Sequence, residues 1–175
     1  MELALAMKVI REHGDEWNVD VDRIAVSGFS AGGHLTCCLS VFWDREWLYG
    51  ALGVKPEMIR PDGMILCYPV ITSGEYCHKG SFECLMGAEA SKKDEKLRRL
   101  LSLEYQVGPQ VPKTFFMAYL DGPVSAGREQ PVAFTGFKKG RSKCGGAFVS
   151  GGASWDRAWD RRNPGNRSEI SGALL

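Results

Sequence analysis

The segment around residues 23–42 constrains the fold more than any other part of this chain. Arg23–Ser27 is a short run of β-prone character, and the glycine-rich residues 28–33 interrupt it sharply. An apolar stretch of helical character, His34–Phe42, follows at once. We therefore predict a strand, a tight turn and a helix in that order.

The turn carries the pattern G-x-S-x-G, from Gly28 to Gly32. In this pattern the serine sits on a strained strand-to-helix turn that exposes its Oγ, and small flanking residues let the backbone pass close to its neighbours. The N-terminal amides of the following helix then point toward the serine, where they can bind an oxyanion. Ser30 is therefore the candidate nucleophile, and Ala31 is the candidate oxyanion-hole residue through its backbone N–H.

A glycine-rich turn between a strand and a helix has a second interpretation, a phosphate-binding turn. A dinucleotide-binding G-x-G-x-x-G turn would need glycine where Ser30 stands, and a P-loop needs a Gly-Lys-Ser/Thr ending. Neither pattern is present. Three fixed residues alone are a weak signal, but the flanking strand and helix favour the catalytic interpretation.

The rest of the first 120 residues alternates between helix and strand patterns. Leu3, Met7 and Ile10 recur at helical spacing up to His13, and Gly14 supplies a stop. Residues 18–22 form a polar turn. This pattern predicts an amphipathic helix ahead of the first strand.

Two further strands are predicted downstream. Gly63–Val70 is a continuous apolar run, typical of a strand buried on both faces in the middle of a parallel sheet. A charged stretch leads into an amphipathic helix at residues 97–103, and Lys113–Tyr119 follows as the next strand. The alternation predicts an α/β fold, with a mostly parallel sheet flanked by helices.

Composition and charge exclude several classes of partner. The 22 basic and 21 acidic residues leave a formal charge of +1, so no bulk field favours nucleic acid or an anionic membrane. The N-terminus has only a short apolar stretch, with Glu2 before it and Lys8 and Arg11 within it, so we expect neither a signal peptide nor a membrane span. A cytoplasmic location is the expectation, and the oligomeric state stays open.

The six cysteines show no metal-binding spacing. No C-x-x-C pair occurs, and the adjacent Cys37 and Cys38 fall where an apolar helix is expected. Zinc ligands need paired spacing. We therefore predict reduced, buried thiols and no metal site; the cysteines are Cys37, Cys38, Cys67, Cys77, Cys84 and Cys144.

Asp22 to Leu35, DRIAVSGFSAGGHL, resembles the nucleophile region of bacterial acetylesterases and carboxylesterases found with xylan-degrading genes. These enzymes belong to the esterase/lipase branch of the α/β-hydrolases. The stretches PDGMILCYPV and SLEYQVGPQVPKTFF are also similar to the family, so the resemblance covers about residues 1–116. It implies an α/β-hydrolase fold, hydrolysis of a short acyl or acetyl ester of a sugar or small alcohol, and no metal or organic cofactor.

Two parts of the family's pattern are missing. The first is the His-Gly-Gly oxyanion segment upstream of the nucleophile, so we expect a partial fold that lacks its first strands. The second is the histidine of the triad, which in the family follows the serine and then the aspartate. The chain's histidines are His13, His34 and His78, all ahead of the acid strand. Asp121 lies near the acid's position, but the pattern H-T-x-x-D-x-x-V-P is not legible around it.

None of the three histidines is a good candidate for the base. His34 matches a packing position of the family, and His13 and His78 have the settings of solvated or capping residues. The resemblance therefore implies a serine ester hydrolase by ancestry whose activity is impaired in this chain. The alternative is a non-catalytic hydrolase-like remnant or binding module.

The last 55 residues differ in character from the hydrolase core fragment, residues 1–120. Residues 121–175 lack apolar periodicity and are rich in glycine and Asp-Arg pairs, which predicts an irregular, disordered or out-of-frame tail. Read one base later, degenerate codons allow W-H-T at residues 117–119, V-P-V-E-N-S at 125–131 and H-L-F-P-E-G-x-H at 147–155. Our hypothesis is a one-base frameshift near Phe116; the alternative is a divergent tail in the correct frame.

Overall fold

The structure is a computed structural model that describes residues 1–75, 77–119 and 144–149. The strands are β1 (Ala25–Phe29), β2 (Gly63–Cys67), β3 (Lys113–Tyr119) and β4 (Cys144–Val149). The helices are α1 (Glu2–Glu12), α2 (Gly14–Trp17), α3 (Ser30–Phe42), α4 (Glu46–Tyr49), α5 (Lys79–Met86), α6 (Ala88–Lys93) and α7 (Glu95–Leu101). Short 3₁₀ turns cover Gly50–Leu52, Pro56–Ile59 and Leu103–Tyr105.

The four strands form one parallel sheet in the order β1-β2-β3-β4. Helices connect β1 to β2 and β2 to β3, as parallel neighbours require a crossover. The predicted α/β class, with a parallel sheet flanked by helices, is confirmed. All parallel strands end at the same edge of the sheet, so the turn after β1 lies beside the loop after β2.

The first strand and its turn differ slightly from the prediction. β1 runs two residues further than expected, because Gly28 and Phe29 still pair with Leu66 and Cys67 of β2. α3 then begins at Ser30, four residues earlier than predicted. The glycines after Ser30 therefore belong to the first turn of a helix rather than to a loop.

β2 is shorter than the predicted strand, and one of its two faces is partly exposed. It ends at Cys67 because Tyr68 takes a positive φ of 37° and Pro69 has no N–H for the ladder. Ile65 is 37% exposed. The prediction of burial on both faces is wrong for the described part of the chain, since Ile65 lies on the face of β2 opposite the core residues Met64 and Leu66.

The core lies between helices α1 and α3 and the sheet face that carries Met64 and Leu66. From the sheet it takes Val26, Met64, Leu66 and Phe116, and α1 contributes Ala4 and Met7. From α3 it takes Cys37, Leu39, Val41 and Phe42. This packing fixes α3, which begins at Ser30, against the sheet.

Three local features differ from the sequence expectations. Gly14 begins α2 instead of ending the helical segment, and α5 was not predicted. The helix predicted at residues 97–103 is observed as α7, which begins at Glu95 and ends at Leu101, and the Asp94 carboxylate caps it by accepting from Leu97 N–H at 2.9 Å. β4 lies inside the stretch predicted to be irregular, and its six residues pair with β3. The rest of residues 120–175 lies outside the described residues. Across the described ranges, no helix has the length and apolarity to span a membrane.

Candidate active site

Ser30 stands at the junction of β1 and α3, exposed at the carboxyl edge of the sheet. Its φ is +49°, whereas Phe29 before it is extended. A non-glycine residue in this left-handed region is strained, and such strain clusters at functional sites. The geometry is that of the strained, serine-bearing turn that the G-x-S-x-G pattern predicts.

Two glycines make this turn possible, and only one of them, Gly28, belongs to the G-x-S-x-G pattern. A Cβ on Gly28 would clash with Gly32 O and lie 2.5 Å from Thr36 Oγ1, and a Cβ on Gly33 would lie 2.6 Å from Pro69 Cβ. A Cβ on Gly32 would meet nothing within 4 Å. The close backbone approach therefore needs Gly28 and Gly33, while Gly32 is sterically free.

The loop after β2 is attached to this turn. Val70 N–H donates to Ser30 O at 3.1 Å, and Tyr68 N–H donates to Met117 O of β3 at 2.6 Å. The rings of Phe29 and Tyr68 lie 5.9 Å apart. Residues 68–70 thus connect the backbone of Ser30 to the C-terminal half of β3.

Ala31 is exposed in the first turn of α3. The first four N–H groups of a helix have no partner within the helix, and the helix dipole makes this end favourable for negative charge. The Ala31 amide is therefore available to an anion that forms beside Ser30. The position fits the predicted oxyanion donor.

Two of the three histidines act in capping or surface contacts, as expected. His13 Nδ1 lies 2.8 Å from Glu16 Oε2, and its ring stacks on Trp17 at 5.0 Å. His78 caps α5 by accepting from Ser81 N–H. Both side chains are engaged with neighbours along the chain.

His34 is buried in α3, one turn after Ser30. Its Nδ1 lies 2.9 Å from Val70 O, and its ring meets Phe82 edge-on at 5.9 Å. Burial lowers the pKa of His34, with the Val70 carbonyl opposing the shift. Since a carbonyl oxygen only accepts, Nδ1 carries the proton of this hydrogen bond. The predicted packing role is compatible with this arrangement.

The thiols of α3 are poor nucleophiles. Burial raises the pKa of Cys38 to about 12 and that of Cys37 well above its ordinary value. Cys37 is fully buried and Cys38 half-buried, whereas Cys84 is exposed, so the prediction of buried thiols is wrong for Cys84. Among the described residues no cluster of three His, Cys, Asp or Glu side chains has the arrangement of a metal site.

A buried polar group that the sequence interpretation missed lies behind the loop after β2. Both carboxylate oxygens of Glu104 are shielded from solvent, and burial raises the pKa of this side chain more than Thr72 lowers it. Nearby, Ser73 Oγ lies 2.6 Å from Ser102 Oγ, and Arg98 Nη2 donates to Ser73 O at 2.6 Å. A glutamate inside the apolar Leu103–Tyr105 turn was the available signal. Asp121 lies outside the described residues.

Comparison with known proteins gives one matching family and two curated relatives. A sequence profile of a family described as alpha/beta hydrolase fold matches residues 2–163. The chain is 37% identical over 118 residues to endo-1,4-beta-xylanase B of Butyrivibrio fibrisolvens, covering 65% of the chain and 17% of the relative. It is 34% identical over 91 residues to an acetylxylan esterase of Xylanibacter ruminicola, covering 51% of the chain and 16% of the relative.

Among solved structures, the chain is similar to an acetyl ester-xyloside bifunctional hydrolase from Caldicellulosiruptor lactoaceticus. The TM-score is 0.70 at 28% sequence identity, over 86% of this chain and 54% of that one. The chain thus spans about half the length of this structure and about a sixth of the curated relatives it matches.

Proposed function

Because the chain belongs to the α/β-hydrolase fold family, we propose that it is a serine carboxylic-ester hydrolase with Ser30 as its nucleophile. The observation that carries this proposal is the backbone of Ser30. An exposed serine with a φ of +49° at the start of a 13-residue helix is a strained arrangement of the kind that clusters at functional sites. The chain's similarity to an acetylxylan esterase supports ester hydrolysis as the reaction.

In the proposed reaction Ser30 Oγ attacks the ester carbonyl, and a base removes the hydroxyl proton. The Ala31 N–H donates to the oxyanion of the tetrahedral intermediate. The alcohol then leaves with the proton, and an acyl group remains on Ser30. Water attacks this acyl-enzyme, which releases the carboxylic acid and restores the hydroxyl.

We propose that the activity of this chain is low, because it lacks the histidine that serves as the general base of the triad. His13, His34 and His78 are bonded to Glu16, to Val70 and to Ser81 respectively, and the chain has no other histidine. Loss of a triad member leaves about 10³- to 10⁴-fold catalysis over water, from the oxyanion hole and binding alone.

The proposed substrate is a short acyl ester, in particular an acetyl group on a carbohydrate. The names of two relatives, an acetylxylan esterase and an acetyl ester-xyloside hydrolase, support this choice. Release of acetate from acetylated xylo-oligosaccharides, compared with hydrolysis of a long-chain acyl ester, tests it. Preferential cleavage of the long-chain ester would contradict the proposed substrate class.

Hydrolysis of p-nitrophenyl acetate by the chain and by Ser30→Ala tests the proposed nucleophile. We expect a rate above that of Ser30→Ala but by less than about a hundredfold, because an unassisted serine hydroxyl is a weak nucleophile. Ser27→Ala is the matched control, since Ser27 is an exposed serine of β1 that is not on the strained turn. It should hydrolyse the ester as the parent chain does.

The second candidate function is a non-catalytic hydrolase-like module that binds a ligand or partner. All three histidine side chains are bonded to groups other than the Ser30 hydroxyl, which favours it. Equal rates for the parent chain and Ser30→Ala would support this candidate and contradict the esterase.

We also propose that the reading frame changes near Phe116. Its support is the family-like sequence that the alternative frame allows, including a histidine near residues 154–155. The family match through residue 163 supports the alternative, a divergent tail in frame. Sequencing of the coding region distinguishes the two: a single missing or extra base near codon 116 supports the frameshift, and a continuous frame in clean reads contradicts it.

A further inference from the structure

His34 is the buried titratable group next to the nucleophile that the proposed mechanism does not use. It stands four residues after Ser30 in α3, and its side chain is 6% exposed. Residues four apart in a helix lie on the same face, one turn above the other. The ring and the Ser30 backbone therefore face the same neighbouring loop.

Both residues bind the backbone of Val70. His34 Nδ1–H donates to Val70 O at 2.9 Å, and Val70 N–H donates to Ser30 O at 3.1 Å. Val70 is thus bound on both sides by a single turn of α3. A shift of Val70 would disturb the hydrogen bond of the one strained residue of this helix, because Ser30 is the residue with the positive φ.

The hydrogen bond to Val70 is the one polar contact that the His34 ring makes with the described residues. His34 Nε2 is buried and has no hydrogen-bond partner among the described residues. Leaving a buried polar atom unpaired costs free energy, so an apolar side chain would pack against Phe82 at lower cost. A histidine at this position is explained by the single hydrogen bond to Val70.

We propose that His34 is a positioning residue for Ser30, acting through Val70. The ring holds the Val70 carbonyl, and Val70 holds the strained backbone of the candidate nucleophile. The consequence for catalysis rests on the proposed function. The positioning itself is a property of the backbone and is measurable whether or not the chain hydrolyses esters.

Hydrogen exchange of the Val70 amide, measured relative to the Leu66 amide of β2, tests the positioning. His34→Leu removes the donor, and we expect the Val70 amide to exchange about fivefold faster relative to Leu66, the effect of one lost hydrogen bond. His34→Asn should retain the parent ratio, because its side-chain N–H lies as many bonds from the backbone as Nδ1. His34→Gln places its N–H one bond further and should behave as His34→Leu.

Two controls separate positioning from stability. Val41→Ala empties part of the core on the same helix and should accelerate both amides equally, and His13→Asn should change neither. The proposal is overturned if His34→Leu or His34→Gln changes both amides equally, or if Asn fails to preserve the ratio where Leu and Gln alter it. If His34→Leu lost Ser30-dependent hydrolysis while its exchange ratio stayed unchanged, the positioning proposal would likewise be contradicted. If the parent chain itself had no Ser30-dependent hydrolysis but His34→Leu altered the exchange ratio, only the proposed function would be contradicted.

Discussion

Gly33 contacts the loop after β2 more closely than any side chain would allow. The position of its missing Cβ lies 2.6 Å from Pro69 Cβ and 2.9 Å from Pro69 Cα. Gly32, one residue earlier in the same helix, has open space at the corresponding position. Two adjacent glycines of one turn therefore have different physical roles, which letter patterns alone do not distinguish.

We predict that Gly33→Ala lowers the free energy of unfolding by about 1–3 kcal/mol, the usual cost of overpacking. Gly32→Ala should raise it by up to about 1 kcal/mol, because alanine is the better helix former and meets no neighbour. Urea unfolding of the two variants measures both. Equal effects of the two substitutions would contradict the different packing of these glycines.

We predict that Glu104 makes the free energy of unfolding decrease as the pH rises. Burial raises its pKa in the folded chain, so between the unfolded and folded pKa values the folded state binds more protons. Its contribution is therefore least unfavourable at low pH, and stability falls as pH rises through the folded pKa. Glu104→Gln should remove this dependence and be more stable than the parent chain at neutral pH.

Urea unfolding at about pH 5 and about pH 8 checks this expectation. The difference in unfolding free energy between Glu104→Gln and the parent chain should grow with pH. Exposed Glu83 supplies the matched variant, Glu83→Gln, whose difference from the parent should stay constant. A constant difference for Glu104→Gln as well would mean that its carboxylate is adequately solvated in the folded chain.

At the scale of elements, one ion pair connects α1 to the start of the sheet. Arg11 donates to Asp62 Oδ2 at 3.2 Å and to Met58 O at 3.1 Å, and the same Asp62 oxygen accepts from Ile24 N–H at 3.0 Å. Both charged side chains are largely buried. The pair fixes the helix, the turn before β2 and the residue before β1 relative to one another.

We predict that Arg11→Met lowers the unfolding free energy by about 3 kcal/mol, since it leaves Asp62 buried with the exposed Arg60 as its one remaining ion-pair partner among the described residues. Arg11→Lys should cost less but not restore full stability, because lysine lacks the fork that reaches two oxygens. Lys8→Met removes an exposed ion pair of the same helix and should cost less than about 0.5 kcal/mol. Similar losses for Arg11→Met and Lys8→Met would contradict this.

The sequence predicts elements well where a local pattern determines them. β3 has the predicted bounds, since Pro112 precedes a run of β-prone residues that pairs along its whole length. The start of α3 was missed because strand pairing extends β1 through Phe29, and pairing depends on residues almost 40 positions away. β4 was missed for the same reason, as its partner β3 defines it rather than its own glycine-rich sequence.

The candidate site divides in the same way. The sequence could supply Ser30 and Ala31 as candidates because a short contiguous pattern specifies the turn. His34 and Val70 could not, because their relation depends on the loop after β2 returning to α3, and no local pattern encodes that return. Glu104 escaped notice because its burial depends on packing between distant segments.

At the scale of the whole molecule, the described part of the sheet has one open apolar face. Ser27, Ile65 and Phe115 lie in one row across β1, β2 and β3, and Ile65 and Phe115 are 37% and 43% exposed. Contiguous exposed apolar surface promotes association. We therefore predict that this face drives self-association of the chain.

Replacing Ile65 and Phe115 together by threonine keeps β propensity and removes the apolar surface. The double variant should show a lower average mass in sedimentation at high protein concentration and weaker binding of an apolar dye. Leu85→Thr removes a more exposed apolar side chain from α5 and should change neither the average mass nor the dye binding. Unchanged association of the double variant would contradict a role for this face.

The central claim, that Ser30 is the nucleophile and lacks its base, is tested most directly by locating the acyl group. Without a base, hydrolysis of the acyl-enzyme is slow as well as its formation, so acetyl-Ser30 should accumulate during incubation with p-nitrophenyl acetate. Peptide mass spectrometry should find the acetyl group on the peptide that contains Ser30 and not on that peptide of Ser30→Ala. Acetylation confined to other residues, or equal in both proteins, would contradict the assignment of Ser30; rapid turnover without accumulation would contradict the absence of a base.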